Sequence, residues 1–549
     1  MAAAQNPSGT GQAPPEFRGM WVTRFEWPDP DPAKAKAYID GVMSDLAKHH
    51  FNAVLFQVRG QADTFYPSEE EPWSPMITSS PAGPGWDPLQ YAIEKAHAHG
   101  LQFHAYINTH VCWQDPQDRP PPMANHLFYH HCNAADPDRR DWLIHDEQGR
   151  PVQFESDHYV WIAPGVPAAQ AYIRRQVMHV VTRYDVDGVH FDRIRMPAPH
   201  YSHDPISTAR RQPGSEGNPA GLDFADWTRD QFTRLLCDLY AQINEVKPHI
   251  TISAAPVGLY KQDRYPNYPA SFLFGWSKGY QDAQAWMRAG ALDLVMPQIY
   301  WADGPPPPDF NEILSDWLAH AAGRHVAAGL NRSLALDELV RQVRFARESG
   351  GQGTVMFHYG GFAGAGGFKK YKQRGGVFEL PAPVPPMPWK ESPTEGILIG
   401  TLADAATGES VVDAQITRPG NEQVALSSGD GLWSMLKVPP GTHALVIRKA
   451  GYSEQRFESV AIEAGRVTRI DVALHPQTEA VSRSTSTPST ASAAEGGEPS
   501  APTPATAPPA AEQPGKSDHT GRRVAVALAG VLLLLSVGFG LWYRRRRRA

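Results

Sequence analysis

At 549 residues the chain is too long for one ordinary domain, and 41% hydrophobic with 20% charged residues is the composition of a folded protein. The formal net charge of −7 provides no basic field for nucleic acid, which is excluded as a partner; the dense positive run is confined to Arg544 through Arg548. Three cysteines are too few for a disulfide-stapled scaffold: Cys112 and Cys132 flank one segment and either pair in an oxidising compartment or stay as thiols, and Cys237 sits in a helical pattern as core filling.

Residues 1–16 are expected to be disordered, and they lack the charged start and apolar stretch of a secretory signal. From 17 to 380, short β-branched or aromatic runs alternate with amphipathic helical stretches, the pattern of βα units around a parallel sheet. The strands read "RGMWVT", "NAVLFQV", "LQFHAYIN", "VDGVHFDRI", "TISAAPV", "LDLVMPQIYW", "HVAAGLN" and "GTVMFHY". Helices between them include "PAKAKAYIDGVMSDLAKHH", "DPLQYAIEKAHAHG", "AAQAYIRRQVMHVVTRY", "DFADWTRDQFTRLLCDLYAQINEV" and "LDELVRQVRFARESG". Eight such units with two long insertions predict a closed (β/α)8 TIM barrel of the α/β class.

After a Pro-rich connector, residues 394–475 change to short strands broken by Gly, Pro, Asn and Asp turns, which predicts a β-sandwich. Residues 476–522 are dominated by Ser, Thr, Pro, Ala and Glu, so no core can form and a disordered stalk is expected. Residues 524–543 are uncharged and long enough to cross a bilayer, which takes about 20 apolar residues. The Arg-rich tail, 544–549, favours the cytoplasmic side, although Arg522 and Arg523 flank the other end. The expectation is a single-pass cell-membrane protein with its barrel on the extracytoplasmic side.

In a barrel of this kind, side chains at the C-terminal strand ends converge on one mouth. Here those ends are polar: Gln57 and Arg59 on the second strand, His104 and Asn108 on the third, His190 and Asp192 on the fourth, Gln298 and Tyr300 on the sixth, Asn331 on the seventh and His358 on the eighth. Spacings of two or four put each pair on one strand face, as a lined cavity requires. Asp192, at the end of "YDVDGVHFDRIRMP", is the candidate catalytic carboxylate; the alternative is a rim charge paired with Arg193, Arg195 or Arg59. Asp185 and Asp187, before that strand, are expected to turn the chain at the barrel bottom.

These runs, with "NAVLFQVRGQADTFYPSEEEPWSP", "WDPLQYAIEKAHAHGLQFHAYIN", "PGVPAAQAYI" and "MPQIYW", resemble in collinear order the glycosyl-hydrolase-like family 10 of bacterial envelope proteins. The resemblance implies a (β/α)8 barrel acting on glycans, with peptidoglycan strands the substrate of the better understood members. It places Asp192 at the family's strand-four aspartate, Gln57 and Arg59 in its "FQVR", Asp63 at the acid that follows, and Gln298 and Tyr300 in its "PQIYW". Two positions depart from the pattern: Arg193 stands where a second aspartate is usual, and Asn108, Thr109, His110 and Val111 replace an "NPxR". The segment "GDGLWSMLKVPPGTHALVIRKAGY" resembles a carboxypeptidase-regulatory-like repeat, which implies an accessory module.

Glycoside hydrolysis, retaining or inverting, takes two carboxyl groups, one to protonate the leaving oxygen and one as nucleophile or base. The fifth strand, "ISAAPVG", supplies no acid. Asp63 is the first expected partner for Asp192, followed by Glu26, Glu69 to Glu71 and Asp303. Trp27, Tyr66, Trp73, Trp113 and Trp301 offer flat faces for sugar rings, Trp73 and Trp301 above the others; core packing is the competing reading for each. The insertion carries His110, Cys112, His126, His130, His131 and Cys132 without zinc-site spacing, and no phosphate loop, dinucleotide fingerprint or serine-hydrolase elbow is present. No metal and no cofactor are expected, and the partner is a polysaccharide.

Overall fold

The computed structural model describes residues 11–114, 119–121, 123, 125–152 and 158–477. The segments expected to form the membrane span, its Arg-rich tail and nearly all of the stalk lie outside the described residues, as do residues 1–10. Among the described residues no helix is long and apolar enough to cross a membrane.

Eight parallel strands close into a barrel: β1 (Phe17–Val22), β2 (Ala53–Arg59), β3 (Gln102–Asn108), β4 (Gly188–Asp192), β5 (Thr251–Ala254), β6 (Leu294–Val295), β7 (His325–Asn331) and β8 (Gly353–Phe357), with β8 pairing back onto β1. Helices α1 (Pro32–Lys48), α2 (Pro88–Ala98), α3 (Pro167–Arg183), α4 (Phe224–Val246), α5 (Ala283–Arg288), α6 (Phe310–Ala319) and α7 (Leu336–Glu348) lie between them. An Asp-Pro step starts two of the helices. Asp31 accepts from the Ala33 amide and Asp87 from the Gln90 amide, while the following prolines occupy first-turn positions that have no backbone partner to lose. Strand β6 is shorter than the apolar run "LDLVMPQIYW", because Pro297 cannot donate to a neighbouring strand.

Alternation divides the barrel strands. Val54, Phe56, Val58, Phe103, Ala105, Ile107, Val189 and Phe191 pack outward in the large core with the helices, whereas Phe17, Trp21, Leu55, Tyr106, Leu294 and Val355 fill the barrel interior. The interior continues through His104, packed so closely on Gly188 that a Cβ there would lie 2.2 Å from its Nδ1. Glycine is thus the residue that admits the imidazole.

Between β3 and α3 the chain makes a long excursion containing an antiparallel pair, Val111–Gln114 with Tyr159–Trp161, and a short helix, Leu127–His131. After the barrel, two four-stranded sheets enclose a separate core around Leu398, Ile416, Trp433, Leu445 and Ile462, as a β-sandwich does. The sandwich is docked on α3 and α4 by buried polar contacts. Arg174, 1% exposed, reaches Asp238 at 3.4 Å and also pairs with Asp430; Ser434 donates to Asp238 at 2.7 Å; Arg210 pairs with Asp413 at 2.5 Å. Residues 11–16 are ordered against the barrel bottom: the Glu16 amide donates to Pro383, and its carboxylate pairs with Arg18 and Arg347 at 2.7 Å.

Candidate active site

The last inward residue of β4 is Asp192, which lies in register with Asn108 of β3. Its Oδ2 accepts from Tyr106 Oη at 2.8 Å and its Oδ1 from the Arg193 amide at 2.7 Å. Arg193 takes a left-handed turn (φ 55°), which carries its guanidinium over the Tyr159 ring at 4.5 Å. Burial and the Asp192 charge push the Tyr106 phenol well above its ordinary pKa, so it stays a donor. The same causes raise Tyr300, which follows β6 and stacks on Phe357 of β8 with centroids 5.8 Å apart. Asp192, Gln298, Tyr300, Trp301 and His358 are partly exposed, and they line the mouth at the ends of β4, β6 and β8.

Below this layer the expected ligand-contacting residues are closed off. His190, 0% exposed, accepts from Trp21 Nε1 at 2.9 Å and so donates through Nδ1 to Ser253 Oγ at 2.9 Å; burial and nearby His104 hold it neutral. His104 is also 0% exposed, and burial lowers its pKa to about 4. These two histidines lie closed off beneath the mouth. Asn108 donates to the Gly60 carbonyl at 2.9 Å, Gln57 Oε1 accepts from the Arg24 amide at 2.9 Å, and Asn331 Oδ1 accepts from the Ser333 amide at 2.9 Å. All three are buried and shape the loops above them.

Arg59 differs from its expected place for a physical reason. The β2–β3 register slips between Gln57 and Arg59, so Gln57 pairs with inward Tyr106 but Arg59 pairs with outward Ile107. A single extra residue reverses the side chain's face. Arg59 therefore leaves the cleft and forms a two-pronged pair with Glu71, 2.6 Å at the shortest, with its Nη1 on the Asn108 carbonyl at 2.5 Å and Tyr172 Oη on the same carboxylate at 2.7 Å. Asp63 is 0% exposed within its own loop, facing Gln61 at 3.5 Å; burial raises its pKa, opposed by Arg24. A carboxyl so enclosed does not meet a sugar across the cleft.

The other acids considered as partners are also engaged. Glu26 pairs with His358 at 2.9 Å and accepts from the Thr23 and Gly360 amides; Glu70 pairs with Arg175 at 3.0 Å, Glu69 with Arg183 at 3.3 Å, and Asp303 accepts from Asn311 at 2.6 Å. Of the aromatic residues, Trp27 packs on Phe56 and Phe65 in the core, and Tyr66 stacks on His179 outside the barrel. Trp73 lies against Gly83, Trp113 against His126, and Trp301, partly exposed, against Phe272. In the insertion, His110 packs on Phe232 and His131 stacks on Trp142 at 3.9 Å.

Sequence reasoning passed over Tyr106, although it lies midway between His104 and Asn108 on the same strand face, a signal that alternation alone supplies. It also passed over Arg24, whose guanidinium binds Gln114 at 2.6 Å and Gln61 at 3.2 Å, and Tyr159, which enters the wall from the distant end of the insertion. No short-range signal marks that approach.

The glycosyl hydrolase-like 10 model matches residues 16–327, and the carboxypeptidase regulatory-like domain model matches 397–475. The chain is 28% identical over 324 residues to glycosyl hydrolase YngK of Bacillus subtilis (strain 168), covering 56% of this chain and 58% of that protein. It is 27% identical over 340 residues to glycosyl hydrolase DigH of Escherichia coli (strain K12), covering 58% of this chain and 73% of that one. Among solved structures, the PgaB (BpsB) glycoside hydrolase domain from Bordetella bronchiseptica superposes with a TM-score of 0.45 at 15% identity, over 65% of this chain and 97% of that domain. The chain belongs to the glycosyl hydrolase-like 10 family, with a carboxypeptidase regulatory-like domain following its barrel.

Proposed function

We propose that the protein is a glycoside hydrolase of a cell-envelope or extracellular polysaccharide, with peptidoglycan glycan strands the first substrate to test, and that Asp192 is its reacting carboxylate. The observation that carries this reading is the setting of Asp192. It stands at the mouth of the barrel, partly exposed, with one oxygen held by Tyr106 and the other by the Arg193 amide. A carboxylate fixed in this way suits a nucleophile, a base for water, or a stabiliser of the oxocarbenium-like transition state. Gln298, Tyr300 and Trp301, which follow β6, supply polar and flat apolar surface for the sugar. The chain is proposed to be anchored through residues 524–543, with the barrel outside the cell.

The test is release of new reducing ends from peptide-free peptidoglycan strands, partly deacetylated strands and α-glucans, comparing wild type with Asp192→Asn. Cleavage abolished by the substitution is the expected result; no cleavage of any of them by wild type defeats the reading. A second reading, a glycan-binding protein without turnover, is favoured by the engagement of Asp63, Glu26, Glu71 and Asp303 with partners other than Asp192. It requires retention of glycans by wild type and Asp192→Asn alike, with no products from either.

A further inference from the structure

A cavity of about 420 Å³ lies outside the barrel, where α3 passes between the insertion and the sandwich. Ala168 and Ala171, small residues on α3, leave the space open. Trp142 and Tyr172 form an aromatic wall, their rings edge to face at 5.6 Å, and His131, which also lines the cavity, is stacked flat on Trp142 at 3.9 Å. Arg175 and Glu70, joined at 3.0 Å, stand on one rim, and Asp430 of the sandwich lies on another.

The junction that shapes the cavity is rigid. Asp430 is held by Arg174, and the adjoining Gly429 is pressed so closely onto α3 that a Cβ there would lie 2.3 Å from the Pro167 carbonyl oxygen. A side chain at that position would push the sandwich off the helix. The sandwich contributes Gly429 and Asp430 to the lining, so its docking shapes one side of the cavity, whose size is within the range of about 300–1,000 Å³ that holds small organic ligands.

We infer that this cavity is a second glycan site, taking one or two pyranose units of the same polysaccharide that enters the barrel mouth. Trp142 and Tyr172 are each 7% exposed, so the wall offers ring edges to the C–H groups of a sugar rather than an open stacking face. Planar carboxylate and guanidinium groups at the rim exchange paired hydrogen bonds with neighbouring hydroxyls. The rim charges are already mutually compensated, Arg175 by Glu70 and Asp430 by Arg174, so the site calls for a neutral polyhydroxylated ligand rather than an ion. Glu70 lies on the loop after β2 and Trp142 in the insertion after β3, at the same end of the barrel as Asp192, so a polymer leaving the mouth can descend this flank. The inference rests on the proposed glycan specificity, but it concerns binding and not cleavage.

The test uses the full chain carrying Asp192→Asn, to stop turnover, in co-sedimentation with insoluble peptide-free peptidoglycan and with chitin. Ala168→Trp projects an indole into the cavity from an exposed helix position, and Arg175→Ala removes a rim donor without touching the core. Retention is expected to fall about tenfold in the first and several-fold in the second. On the active background, both variants are expected to leave turnover of short soluble oligosaccharides unchanged. Unaltered retention in both variants, or no retention of either polymer by the parent, overturns the site. Reduced retention in the variants together with no cleavage by wild type keeps the site and removes the hydrolase reading.

Discussion

Tyr106 Oη donates to Asp192 Oδ2 at 2.8 Å across two neighbouring strands, and burial holds the phenol protonated throughout the neutral range. A hydrogen bond onto a charged acceptor contributes about 1.5–3 kcal/mol, roughly ten- to a hundredfold in rate if it orients the reacting group. Tyr106→Phe is expected to lower kcat by that factor while KM changes little, and Asp192→Asn to remove activity by about a thousandfold or more. Steady-state kinetics on whichever of the tested glycans wild type cleaves measures both; a Tyr106→Phe enzyme with unchanged kcat sinks the orienting role.

The Arg59–Glu71 pair is buried on both sides, with side chains 1% and 0% exposed. Removing one partner strands a charge in the interior, which costs about 3–5 kcal/mol, whereas an exposed pair contributes about 0–1. Glu71→Ala should therefore lower unfolding stability by several kcal/mol in urea titrations. Glu70→Ala, at a half-exposed pair on the same loop, should change it by less than about 1 kcal/mol. Equal effects would contradict the structural role assigned to Arg59.

Buried histidines predict acid lability. Burial lowers His104 and His325 to about 4 and His110 and His126 to about 3, Arg59 adding to the last two. Each is neutral in the fold and protonated in the unfolded chain below about pH 6.5, so the unfolded state binds more protons there. Their contribution is complete above that pH and is lost as pH falls, at about 1.4 kcal/mol per unit for each. Tm should drop from pH 6.5 towards 4; a flat profile over that window would show these sites to be open to water in solution.

The thiols should be inert while the protein is folded. Burial pushes Cys237 up to about 12, and burial, with the Cys112 S–H donating to Cys132, raises Cys112 well above the usual thiol range. Thiolate is the reactive form, so iodoacetamide at pH 8 should leave both unmodified until denaturant is added. Rapid native labelling of either residue, read by peptide mass spectrometry, would contradict the packing.

The barrel was legible because short β-branched or aromatic runs alternate with amphipathic helical stretches, signals that act within a few residues. Asp192 was legible for the same reason, as the last inward residue of β4. Arg59 was misread because counting by twos assumes an unbroken ladder, and one bulge between Gln57 and Arg59 inverts the answer. Asp63 and His190 were misread because polarity at a strand end does not distinguish a lining group from one sealed a layer below. Tyr159 was invisible because its approach to Arg193 depends on the folding of the whole insertion, a property of tertiary packing and not of local pattern.

Asp238 makes the final prediction, since its sign opposes that of the histidines. Its carboxyl lies between α4 and the sandwich, and burial pushes it up to about 6, with Arg174 and the Ser434 hydrogen bond pulling the other way. Between about pH 4 and 6 the folded protein holds a proton there that the unfolded chain, near 3.9, has released. Ionisation of Asp238 therefore costs stability as pH rises through that window, by up to about 1.4 kcal/mol per unit, and partly masks the gain from the histidines. Asp238→Asn removes this opposing proton. The variant's stability should climb more steeply from pH 4 to 6 than the parent's, by about one proton's worth of slope, measured as urea-unfolding free energy at half-unit steps. If Asp238 were instead an ordinary paired carboxylate with a lowered pKa, the two slopes would coincide above pH 4, and the raised value, with its origin in burial at the sandwich junction, would be wrong.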